Sequence, residues 1–78
     1  MSNNNSLKSA NTITWDDSFA IAKRLNEYHP GIDLENVSLG MIYRWVIALP
    51  EFDDDPDLVN ENILMSIFQE WYEEVAGI

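Results

Sequence analysis

Val59-Asn60-Glu61-Asn62-Ile63-Leu64-Met65-Ser66-Ile67-Phe68-Gln69-Glu70-Trp71-Tyr72-Glu73-Glu74-Val75 carries the strongest periodic signal in the chain. Val59, Ile63, Ile67, Trp71 and Val75 recur every four residues, and Leu64, Phe68 and Tyr72 widen the stripe. Glu61, Asn62, Gln69, Glu70, Glu73 and Glu74 take the other face. One apolar face at that period is the pattern of an amphipathic helix, and Gly77 supplies its stop.

Working back from this helix, the chain shows two shorter ones. Ser38 is placed to cap a helix over about Leu39 to Leu49, with Leu39, Ile42, Trp45, Val46 and Leu49 as its apolar stripe. Before it, Thr14-Trp15-Asp16-Asp17 reads as a helix start, with oxygens able to accept from free backbone N–H groups. That helix runs to about Tyr28 with Ser18, Ile21, Ala22, Leu25 and Tyr28 on one face, and His29-Pro30-Gly31 ends it. The connector after it offers Ile32, Leu34 and Val37 as apolar anchors, and Val37 has room in a short strand. Residues 1–12, rich in Ser and Asn, are expected to be a disordered tail, and 13–76 a single domain. Ile13 and Trp15 alternate as a short extended piece would. The fold class expected is mainly α: a small three-helix, winged-helix-like domain with minor extended segments.

Composition narrows the function. Of 78 residues 46% are apolar, which suits a small core, and there is no cysteine, so disulfides, thiolate metal sites and cysteine nucleophiles are excluded. Fourteen acidic residues against four basic ones give a formal charge of −10. Such a chain is repelled by phosphate backbones and anionic membranes, and basic proteins or cations are its natural partners. No apolar run reaches the roughly 20 residues of a membrane span, and no secretory or transit segment is legible, so a cytoplasmic location is expected.

Leu49-Pro50-Glu51-Phe52-Asp53-Asp54-Asp55-Pro56-Asp57 joins the second helix to the third and places four carboxylates within five residues. Helix-start chemistry accounts for two of them, with Asp55 as N-cap, Pro56 at the first position and Asp57 in the first turn. Asp53 and Asp54 are then surplus, which suggests binding. An EF-hand is rejected: with Asp53, Asp55 and Asp57 at its first, third and fifth positions, Leu58 falls where Gly is needed and Leu64 where the bidentate Glu is needed. A looser oxygen cluster still suits weak binding of Fe²⁺, Mn²⁺ or Ca²⁺. His29, the lone imidazole, has no nucleophile beside it in sequence, and Trp15, Trp45 and Trp71 lie on core stripes. With no phosphate loop and no Ser, His, Asp arrangement, no enzyme is expected.

Trp15-Asp16-Asp17-Ser18, Leu25, Pro30, Val37, Trp45, then Leu49-Pro50-Glu51-Phe52-Asp53-Asp54-Asp55-Pro56, Asn60-Glu61, Ile63-Leu64, Ile67 and Trp71 closely resemble the IscX family, small acidic proteins of iron–sulfur cluster assembly. The resemblance covers about Trp15 to Glu74. It implies a winged-helix-like adaptor that binds the pyridoxal-phosphate cysteine desulfurase of the pathway through an acidic surface. It also implies weak iron binding and modulation of assembly, with no cluster held by the protein itself. By the same resemblance Glu51, Asp53, Asp54, Asp55 and Glu61 are the expected partner contacts. Asp53, Asp54, Asp55, Asp57 and Glu61 are the expected Fe²⁺ ligands. The alternative is a ferrous-iron carrier or sensor whose protein partner is secondary. A monomer that binds neither nucleic acid nor membrane is expected.

Overall fold

A computed structural model describes residues 12–77. The tail expected over residues 1–12 lies outside the described residues except for Thr12. The chain is mainly helical, with α1 at Ser18–Tyr28, α2 at Leu39–Ile47 and α3 at Glu61–Ala76, and a single 3-10 turn in each of the two connections, Leu34–Asn36 and Pro56–Leu58.

The boundaries follow local chemistry. Helix α1 starts without a side-chain cap, because Asp17 turns its carboxylate back to accept from the N–H of Thr14, 3.2 Å away. It ends where the His29 N–H donates to the Leu25 carbonyl and Gly31 takes φ of +74°, a conformation that favours glycine. Helix α2 begins as expected with the Ser38 hydroxyl accepting from the Met41 N–H, and the Met41 thioether accepts in return from the Ser38 N–H. It ends two residues earlier than expected, yet Leu49 still turns into the core.

The start of α3 is a correction. Asp55 and Pro56 do not open it; they open the separate 3-10 turn, where Asp55 accepts from the Asp57 N–H at 2.9 Å. The cap of α3 is Asn60, whose side-chain oxygen accepts from the Ile63 N–H at 2.9 Å. Two cap-like signals stand five residues apart, and the second wins because Val59, extended between them, is half-buried against the core. At the other end Gly77, at φ +75°, closes the helix with its N–H on the Glu73 carbonyl.

Helices α1 and α3 form the main packing pair, with α2 against α3. Ile21, Ala22 and Leu25 of α1, Ile42 and Val46 of α2, and Ile67 and Trp71 of α3 are fully enclosed; Ile13 and Trp15 from the segment before α1, and Leu34 and Leu49 from the connections, complete the core. Ser18 is only half-buried and Tyr28, expected in the core, is exposed. The α3 stripe also outruns the core, since Tyr72 and Val75 stay in solvent. The extended contribution is one parallel bridge between Ile13 and Phe52. Val37 has extended dihedrals, but its N–H closes the 3-10 turn on Leu34. No strand forms among the described residues, so the winged-helix detail is not carried by the structure.

Candidate functional site

The linker between α2 and α3 is anchored against the segment before α1. The Ile13 N–H donates to the Glu51 carbonyl at 3.0 Å, and the Asp53 N–H donates to the Ile13 carbonyl at 2.9 Å. Two residues on, the indole N–H of Trp15 donates to the Asp55 carbonyl at 2.8 Å. The Trp15 ring is buried, edge-on to Phe52 with centroids 4.8 Å apart and parallel to Tyr43 at 6.1 Å. A large aromatic body with one polar handle thus fixes a polar loop to the core.

The aspartates, alike in sequence, part company here. Asp54 is half-buried with both oxygens engaged, one accepting the Trp15 backbone N–H at 3.0 Å and the other the Asp55 N–H at 2.7 Å. The surplus of acid counted from sequence therefore shrinks: Asp54 supports the backbone, as Asp55 does. Asp53, Asp57 and Glu61 are exposed, and their carboxylates have no partner among the described residues. Glu51 turns inward. One of its oxygens lies 3.5 Å from the Arg24 guanidinium, which also meets Glu27 at 3.0 Å, and the other is buried without a hydrogen-bond partner among the described residues.

The exposed, unengaged carboxylates of this region are thus Asp53, Asp57 and, past the extended Val59 and Asn60, Glu61. Leu58, next to Asp57 in the chain, is 63% exposed. Sequence reasoning missed Leu58, because a 3-10 turn leaves no periodicity from which to read its direction. Among the described residues no three His, Asp or Glu side chains come together as a group able to hold a metal ion. His29 is occupied otherwise: its ring stacks on Trp45 at 4.2 Å and lies 6.3 Å from Trp71.

Charge is uneven elsewhere. Lys23 of α1 reaches Glu74 of α3 at 3.9 Å, and Arg24 reaches Glu27 of its own helix and Glu51 of the linker, so both cations of α1 are matched. No described helix is long and apolar enough to cross a membrane.

The family model described as iron–sulphur cluster assembly matches residues 13–76. The uncharacterized protein PA3808 of Pseudomonas aeruginosa is 40% identical over 63 residues, which span 81% of this chain and 96% of that protein. The matched span contains the whole linker, its Trp15 anchor and all three helices.

Proposed function

The chain belongs to the iron–sulphur cluster assembly family, the IscX family, and from that premise we propose that it is a non-enzymatic adaptor. In this reading it docks as a monomer, in the cytoplasm, onto a basic surface of the cysteine desulfurase and modulates cluster assembly. The observation that carries it is the division of labour in the linker. Asp54, Asp55 and Trp15 hold the backbone, which leaves Asp53, Asp57 and Glu61 exposed and without a partner among the described residues, with Leu58 also exposed in the same stretch. Carboxylates that no described cation neutralises attract a basic partner over distance and fix its register, while an exposed apolar side chain in the same stretch offers contact area once water is expelled.

Ferrous iron enters this proposal as cargo. Exposed carboxylates that do not converge bind a hard cation weakly, with most of its waters retained. That suits transient hand-over better than storage.

Calorimetric titration of the desulfurase at low and moderate salt tests the proposal, with and without Fe²⁺. The wild-type chain is expected to bind saturably, more weakly as salt rises. The triple variant Asp53→Asn, Asp57→Asn, Glu61→Gln is expected to bind at least about tenfold more weakly and with a flatter salt dependence. Equal affinity of a folded triple variant would remove the linker as the contact, and absence of wild-type binding would remove the desulfurase as the partner.

A further inference from the structure

Helix α1 has eleven residues and so spans about 16 Å. The acidic linker is anchored to the segment before its first turn. Beyond its last turn, the connector and the end of α3 enclose a second feature, an apolar groove of about 450 Å³. Ile32 and Leu34 wall one side and Tyr72 and Val75 the other, with Asp33 and Glu35 on the connector side. Tyr72 and Val75 are 52% and 53% exposed. They continue the apolar stripe of α3 past Trp71, the last residue of that helix in the enclosed core. Contiguous apolar surface in a concave site marks a contact region, in a way that singly exposed apolar residues do not.

Charge selects the occupant. No Lys or Arg lines the groove. A second copy of this chain brings another ten negative charges toward Asp33 and Glu35, and an anionic membrane surface is repelled in the same way. The Asp33 carboxylate already accepts from the Glu35 N–H and the Asn36 side chain. Glu35 is exposed, and its carboxylate has no partner among the described residues. Among the described rim acids it is the one that no side chain or backbone group engages.

We infer that this groove docks a short basic segment of another protein, one or two apolar anchors flanked by Lys or Arg, at a surface separate from the acidic linker. The apolar walls hold the anchors, and the rim acids give steering and choice of partner.

The test is amide shift mapping on the full ¹⁵N-labelled chain. The probe is a capped hexapeptide with the order Lys, Arg, Leu, Leu, Lys, Arg, and the control has both leucines replaced by serine. Saturable shifts at Leu34, Glu35, Tyr72 and Val75 are expected, with the control at least about tenfold weaker. The double variant Tyr72→Ser, Val75→Ser removes only exposed side chains, so its circular dichroism is expected to match wild type while its affinity for the leucine peptide falls about tenfold. Glu35→Gln is expected to weaken binding and reduce its salt dependence. Shifts confined to Asp53–Glu61, equal affinity of the serine control, undiminished binding by the folded double variant, or no saturable binding would each overturn the inference.

Discussion

The linker over residues 49–58 and helix α3 are both acid-rich, and their carboxylates do opposite things. In the linker, Asp54 and Asp55 accept from backbone N–H groups that no regular ladder satisfies, so charge there builds structure. On α3 the backbone satisfies itself, and the carboxylates that are engaged bond to other side chains: Glu73 accepts from Gln69 at 2.8 Å, and Glu74 meets Lys23 of α1 at 3.9 Å. An irregular segment uses side chains as its hydrogen-bond ladder. A helix needs them only at its ends, and α3 takes its stability from the face that carries Ile67 and Trp71.

The largest effect is expected in the core. Trp71→Ala removes a fully buried indole together with its 3.3 Å bond to Asn26, and is expected to cost about 3–5 kcal/mol in urea unfolding. For a domain this small that is enough to populate the unfolded state appreciably.

Asp54→Asn, which changes a single linker atom, is expected to cost about 1–3 kcal/mol. An amide has one acceptor where the carboxylate uses two, so either the Trp15 or the Asp55 N–H is left unpaired. Near-ultraviolet circular dichroism of the Trp15 environment is expected to change along with the unfolding midpoint. An unaltered midpoint would show that the linker does not depend on this carboxylate.

A smaller effect is expected where α3 depends on a side chain at all. Asn60→Ala removes the acceptor for the Ile63 N–H and is expected to cost about 1 kcal/mol. Amide exchange should rise chiefly in the first turn of α3, while protection at Ile67 falls only in step with global stability.

Asp53→Asn is expected to change stability by no more than about 0.5 kcal/mol, because its carboxylate is exposed and unpartnered among the described residues. Set beside Asp54→Asn it sharpens the contrast within the linker itself. Adjacent aspartates are expected to separate into one whose loss is read in unfolding and one whose loss is read in binding.

The helices were legible because each buries one face and carries its own punctuation. Ser38 and Gly77 sit where their chemistry places them, and Ile21, Leu25, Ile42, Val46, Ile67 and Trp71 all reach the interior their spacing predicts. The start of α3 was not legible, because Asp55-Pro56 and Asn60 are equally good local signals and only the docking of Val59 between them decides. Nor was the division among the linker acids. It depends on Trp15, about forty residues earlier in the chain.

Mainly helical structure, family membership and a strongly negative charge could all be read from the chain before it folds, because periodicity, end signals and net charge are local or additive properties. Which carboxylates face outward was settled by packing. It also decided that Glu51 folds in against Arg24, and that the apolar stripe of α3 outruns its cover at Tyr72 and Val75. Those outcomes depend on what stands opposite each side chain, and contacts between residues far apart in the chain leave no trace in the spacing of either.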